Sequence, residues 1–330
     1  MILIMFYSLG VESLQLEKYI FTANTGEDTI SIIDAVDMKE IDKLYLHSMI
    51  QINGNQISSK PTIGPYSLKI NPEGNLLYCI NCYDNSLFII DILDKKIINR
   101  IGVGKYPCEI DIDWDRRIAY VTNGDSNTLS IVDLNQERLT YQLPLGELPQ
   151  GLIFANKGNK LYVANMYEDK ISIIDCNNNS LTKWIAVESC PSYLLLSPNQ
   201  DLLYVSNSHM ASDEGGSIAI IDLKSQRIIK RIGVGKIPRQ MIISSTGEFL
   251  YIVNSTSNSL SIISLKEGKE TKRIETGNMP RGIAIDREEK NLYTTNIGAG
   301  TLSIISLKEE RLIDNIKIGK SPNGIAILER

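Results

Sequence analysis

An asparagine recurs at nearly constant spacing through this chain: Asn24, Asn81, Asn123, Asn165, Asn207, Asn254 and Asn296. The gaps are 57, 42, 42, 42, 47 and 42 residues, a period of 42 with insertions of 15 and 5. Each asparagine closes a short β-rich run, such as Leu161-Tyr162-Val163-Ala164-Asn165. A polar turn then leads to a second run, such as Ile171-Ser172-Ile173-Ile174-Asp175. A repeat of roughly 40–45 residues holding several short strands is what a propeller blade looks like in sequence. Such a unit buries its faces only by stacking on its neighbours. The 330 residues exceed the ~250–300 at which a single core stops growing, and a ring of blades resolves that.

Four strand candidates, a to d, fit each repeat. Strand a follows a proline: Pro65, Pro107, Pro149, Pro191, Pro238, Pro280 or Pro322. Large apolar residues sit three and five positions on, as Ile283 and Ile285 do, the alternation expected of a strand. Turns such as Asn71-Pro72-Glu73-Gly74 follow, supplying turn dihedrals through Pro, Gly and Asn. Strand b ends in the recurrent asparagine, and strand c is the run after it. Strand d, for example Ile97 to Val103, is rich in cations: Lys95, Lys96, Arg100, Arg227, Lys230, Arg231, Lys272 and Arg273. Lys and Arg on an outermost strand discourage edge-to-edge pairing, which accounts for this basic stripe. The chain opens on a b strand, Lys18 to Ala23, and ends on an a strand, Ser321 to Leu328. The last strand is therefore expected to complete the first blade and close the ring. The predicted fold is all-β, a seven-bladed β-propeller over residues 17–330 with four antiparallel strands per blade, after an N-terminal extension of residues 1–16.

Residues Tyr120-Val121-Thr122-Asn123 spell YVTN, and Pro280 to Ala284 and Pro322 to Ala326 share a Pro-x-Gly-Ile-Ala unit. On these motifs the repeat resembles the YVTN-family β-propeller repeat, a WD40-like unit of many bacterial and archaeal proteins. The resemblance covers about residues 17–330 and implies the fold. For function it implies a wide range, because propellers host many unrelated activities. Relatives include surface or exported proteins, and the broader superfamily includes enzymes.

Composition narrows the range. The net charge of −5 argues against a general binder of nucleic acid or anionic membrane. No apolar run approaches the ~18 residues of a membrane span. The stretch Met1 to Gly10 is apolar but has no Lys or Arg before Lys18, so a secretory signal is not evident. Five cysteines, an odd number, suit a reducing compartment. A cytoplasmic monomer is the expectation, with export, as in many relatives, the alternative. Cys79 and Cys82 form a C-x-x-C without the following His of a haem attachment site, and residues three apart on a strand point to opposite faces. The acidic b–c turns (Glu27, Asp28, Asp84, Asp125, Glu168, Asp169, Asp213 and Glu214) read as turn chemistry. No metal site and no cofactor are expected.

Candidate function gathers on one face. The d–a and b–c connections share a face of such a ring. The 15-residue insertion, roughly Ser48 to Thr62, lies in a d–a connection, and the five-residue one, within Ser208 to Gly216, in a b–c connection. Extra loop length on one face of a repeat array is commonly where binding happens. The only histidines, His47 and His209, sit at these insertions in the first and fifth blades, too far apart for a shared catalytic site. The residues just after each proline, Tyr66, Cys108, Gln150, Ser192, Arg239, Arg281 and Asn323, should ring the channel mouth. They vary where the rest of the repeat is regular, so the scaffold does not dictate them. Arg239 and Arg281 fall in adjacent blades with Lys236 and Lys320 nearby, and paired guanidiniums suit a carboxylate or phosphate. Trp184 stands on a d strand where other blades carry mostly polar residues, either as a contact anchor or packed on a neighbour. Among the mouth residues there is no His and no clustered carboxylate. Glu109 and Glu147 read as the nearest acids, both in connections. The leading expectation is a non-enzymatic binding or scaffold surface for a protein partner, a surface polymer or a small anionic ligand. The alternative is a lactonase- or lyase-type enzyme with its site at the channel mouth.

Overall fold

In the computed structural model the described residues, 18–49, 61–210 and 215–329, form seven four-stranded antiparallel sheets. The N-terminal extension and most of both insertions lie outside the described residues. Each sheet runs a-b-c-d from the channel outward. The second blade is typical, with Pro65–Ile70, Leu76–Asn81, Ser86–Asp91 and Lys96–Gly102. Strands b and c are buried almost throughout, since neighbouring blades cover both faces. Strand d buries little beyond one residue near its end, and its cations lie exposed on the rim. The apolar clusters alternate around the ring, each built from the facing sheets of two neighbouring blades.

The recurrent asparagine is the buried joint of each blade. Asn24 Nδ2 donates to Thr29 Oγ1 at 3.0 Å and Ser31 Oγ at 2.8 Å, tying strand b to strand c. The same bond runs from Asn123 to Ser130, Asn165 to Ser172, Asn254 to Ser261 and Asn296 to Ser303. A buried amide must find such partners, so the hydroxyls of strand c belong with the asparagine. The d–a loop crosses directly above it. A Cβ added at Gly104 would lie 2.5 Å from the Asn123 side chain, and one at Gly319 would lie 2.2 Å from that of Asn24. Only glycine allows this approach.

Every strand a starts at its proline, and every one of the seven prolines is registered opposite the recurrent asparagine. Proline has no N–H to give to a ladder and suits a strand start. One extra residue on strand a follows each proline, making a bulge. A bulge bends the strand and re-aims the side chain beside it.

Ring closure follows the expected phase. The C-terminal strand Pro322–Glu329 pairs with Lys18–Asn24, from Lys18↔Glu329 to Asn24↔Pro322, and Thr29–Asp34 and Lys39–Tyr45 complete that blade. Lys18 Nζ reinforces the seam with Glu329 at 3.3 Å and with the buried Asp286 of the seventh blade at 3.0 Å. Deleting residues 321–330 would leave the first blade without its inner strand and expose an unpaired edge. The truncated chain should melt at least 10 °C lower and aggregate on heating. An unchanged melting curve by circular dichroism would contradict the closure.

Candidate functional site at the channel mouth

The seven post-proline residues converge. Tyr66, Cys108, Gln150, Ser192, Arg239, Arg281 and Asn323 line one cavity of about 30 Å³ at the mouth of the central channel, room for one or two waters or a few ligand atoms. The backbone before them is held in an unusual state. Tyr106, Leu148, Cys190, Ile237, Met279 and Ser321, each just before its proline, have φ between +50° and +58°, and Gly64 has +66°. For non-glycine residues this conformation costs about 1–2 kcal/mol each. Fixed hydrogen bonds hold it: the Tyr106 carbonyl accepts from Gly124 N–H and the Leu148 carbonyl from Met166 N–H. The Tyr106 N–H donates to Asn85 Oδ1 at 2.9 Å and the Leu148 N–H to Asn127 Oδ1 at 3.0 Å. These bonds join b–c turns to d–a loops, so the two connections do share a face.

The mouth is cationic. Arg281 donates through Nη2 to the Tyr66 hydroxyl, and its guanidinium carbon lies 4.9 Å from the Tyr66 ring centroid. Arg239 Nε is buried with no hydrogen-bond partner among the described residues. Burial, and then the like charge of Arg281, pull the Arg239 guanidinium down to about 10, still charged at neutral pH. Neither arginine pairs with a carboxylate among the described residues. Lys236 and Lys320 are exposed on the loops above and do not line the cavity. The Cys108 thiol, pushed up to about 12 by burial, is neutral and not an activated nucleophile.

One step deeper the channel departs from the sequence expectation. Glu109 does not belong to a connection; it lies in the innermost strand Pro107–Asp113, buried, and lines the mouth cavity. It occupies the second position after the proline. In other blades that position is Ser67, Gly151, Tyr193, Gln240, Gly282 and Gly324. The glycines are there because the next blade comes close: a Cβ at Gly151 would lie 2.7 Å from Tyr193 Cα, and one at Gly324 2.8 Å from Ser67 Cα. Glu109 accepts from Ser67 Oγ, from Ile110 N–H at 3.1 Å and from Gln240 Nε2 at 3.3 Å. Burial raises its carboxyl above the ordinary range, against the opposing pull of Lys69 and Ser67. The Gln240 bond joins the third blade to the sixth, nearly across the ring, and Arg281 to Tyr66 joins the seventh to the second. Both narrow the channel. Below them Lys69 and Asp111 pair at 3.2 Å, and a chamber of about 340 Å³ opens, walled by Ile and Leu side chains together with Ser67, Lys69, Glu109, Tyr193 and Gln240. The one sequence signal for Glu109 is that strand a begins at the proline itself, which puts the second residue after it inside the strand.

The histidines stay apart. His47 Nε2 lies 2.6 Å from Asp28 Oδ2, and the Asp28 carboxylate also accepts from the N–H groups of Thr62, Ile63 and Gly64. His209 Nε2 lies 3.1 Å from Ser217 Oγ and 3.3 Å from Glu188 Oε2, while Ser217 donates to that same Glu188 oxygen. A triad would place the acid on the other ring nitrogen, so this cluster pins a loop. Trp184 is 58% exposed and carries Lys170 Nζ 4.9 Å from its ring centroid. All five cysteines are unpaired, and no cluster of metal-ligating side chains occurs among the described residues.

No family model matches the sequence, and no curated protein matches it. Solved structures do. A hydrazine synthase chain from Kuenenia stuttgartiensis is 18% identical with a TM-score of 0.74, covering 85% of this chain and 99% of its own. A functionally unknown protein from Desulfotomaculum acetoxidans is 11% identical with a TM-score of 0.77, covering 94% and 99%. A candidate 6-phosphogluconolactonase from Bacteroides uniformis is 15% identical with a TM-score of 0.74, covering 94% and 100%. At such identities the likeness is one of fold alone: the chain is a seven-bladed β-propeller.

The raised carboxyl of Glu109 gives a pH test. The folded chain prefers the protonated acid, so the ionised group opposes folding above its raised pKa. That opposition fades as pH falls and is gone below the unfolded value of ~4.3. Glu109→Gln should therefore be more stable than the native chain at pH 7, with the gap closing by pH 4. Urea melts at both pH values check it; an equal gap at both would show the carboxyl unperturbed.

Proposed function

We propose that this chain is a non-enzymatic propeller of the YVTN-repeat type that binds a small anionic ligand at the channel mouth through Arg239 and Arg281. The observation that carries the reading is the buried Nε of Arg239, without a hydrogen-bond partner among the described residues, recessed beside a second arginine in a cavity with polar walls. Like charges held together in a partly desolvated site are unfavourable until a counter-charge arrives. A carboxylate or phosphate supplies one, with the bidentate geometry that guanidinium groups favour. Gln150, Ser192 and Asn323 add neutral hydrogen-bonding groups to the same cavity. The unpaired thiols support a reducing compartment, and the proposed state is a monomer without nucleic-acid or membrane partners.

The enzyme reading has one observation in its favour, the buried Glu109 with its raised carboxyl beside the arginines, an environment common at catalytic sites. One solved neighbour is named as a candidate 6-phosphogluconolactonase. Incubating the chain with small lactones and following ring opening by NMR separates the readings, since a binding protein leaves the lactone at its uncatalysed rate.

The binding reading is tested by calorimetry with phosphate, sulfate and acetate. Truncating one partner of a buried charge pair at an interface costs roughly 2–5 kcal/mol. Arg239→Ala with Arg281→Ala should therefore weaken the preferred anion by at least 30-fold. The double variant should keep the native circular dichroism spectrum, because neither side chain belongs to an apolar cluster between blades. An anion that binds the double variant as tightly as the native chain would remove the site from these residues.

A further inference from the structure

Two arginines suffice to hold an anion, yet the same cavity also carries a carboxylate. Glu109 lines it together with Arg239 and Arg281. A bare anion seated on the arginines meets a like charge, or a buried acid, directly beneath it. Three blades place glycine at this level, Gly151, Gly282 and Gly324, three place the neutral Ser67, Tyr193 and Gln240, and the third blade alone of the seven installs an acid. Its neighbours then orient that acid. Ser67 and Ile110 donate to one carboxylate oxygen, and Gln240 donates to the other at 3.3 Å. The Gln240 amide is itself fixed, because its oxygen accepts from Ile283 N–H at 3.2 Å, so its NH₂ faces Glu109. Ionised, Glu109 has about four acceptor positions; three are used among the described residues, and one is left for a ligand. The deeper charges cancel, since Lys69 is paired with Asp111 at 3.2 Å. Asp111 also accepts from Phe154 N–H, and Tyr193, between them and the mouth, is a phenol that burial keeps neutral.

The mouth thus presents positive charge above and an acceptor below, separated by only a small cavity. From this arrangement we infer that the anion is a small carboxylic acid bearing an amino or hydroxyl group on the neighbouring carbon. Its carboxylate sits on Arg239 and Arg281, and its N–H or O–H donates to Glu109. The inference rests on the anion-binding reading and adds the chemical class of ligand. The donor turns the repulsion between a plain acid and Glu109 into a charge-assisted hydrogen bond, while any side chain of the ligand projects out of the mouth, because Gln240 and Tyr193 stand between the mouth cavity and the chamber beneath. An amine and a hydroxyl meet the same requirement, and Glu109 as a counter-charge distinguishes them.

The test is calorimetry of the full chain at pH 7.5 with acetate, glycolate and glycine. Glycolate or glycine should bind at least tenfold more tightly than acetate. In Glu109→Gln the ratio of glycine to acetate affinity should fall at least tenfold, and that of glycolate less, because an amide oxygen still accepts a hydrogen bond but offers no counter-charge. Equal affinity of the native chain for all three acids overturns the ligand class while leaving the anion site standing, and that comparison needs no variant. A preference that survives intact in Glu109→Gln overturns the role of Glu109. No binding of any of the three, nor of phosphate or sulfate, overturns this inference together with the anion site beneath it.

Discussion

A buried side-chain amide, repeated seven times, sets the geometry on which everything else here rests. Each recurrent asparagine sits at the end of strand b, opposite the proline that begins strand a, and in five blades a glycine of the loop from strand d lies against it. Its NH₂ needs acceptors, and the strand c hydroxyls supply them at 2.7–3.0 Å in five of the blades. A single hydrogen bond of this kind is worth about 1 kcal/mol. Its larger effect is positional. It fixes the top of every blade at the same height, so that seven bulges fall at one level and seven side chains are brought into one small cavity.

Regularity then makes the exceptions informative. The first and seventh blades keep the Pro-x-Gly-Ile-Ala unit, with glycine where the neighbouring backbone is nearest. The second, third, fifth and sixth place Ser67, Glu109, Tyr193 and Gln240 at that position. A sequence tends to break its local rules at functional sites, and here Ser67, Glu109 and Gln240 are hydrogen-bonded to one another, with Tyr193 lining the same cavity. The ring supplies rigidity, and the departures supply chemistry.

The fold was legible because a 42-residue period survives two insertions, and because the order of strand types at the two ends demands closure. The mouth was legible for a related reason: Tyr66 to Asn323 vary at a position where nothing structural asks them to. Glu109 was not legible in the same way. The bulge after the proline interrupts simple alternation, so a residue two positions on looks like loop when it is strand. His47 and His209 stay separate, as their places in the first and fifth blades imply. Each is held by an acid from the connection beside its own, and the ring keeps them apart. Lys236 and Lys320 are near the arginines in sequence, but they stay exposed above the cavity, because the d–a loop turns outward before the proline turns the chain in.

The seam between Lys18–Asn24 and Pro322–Glu329 sets one blade apart in kinetic character. Six blades are contiguous in sequence, and their strands meet across short turns. The first requires contacts between Lys18 and Glu329, 329 − 18 = 311 positions apart. Loop-closure entropy grows by about 0.6 kcal/mol per doubling of length, so closing this loop costs about 3 kcal/mol more than closing a ten-residue turn. Contacts of such separation form late. The six local blades can assemble as an open arc whose own curvature brings the two ends together, and most of that entropy is lost in building the arc. Locking the ring is then a short-range event between strands already held side by side, although they are among the most distant in the chain.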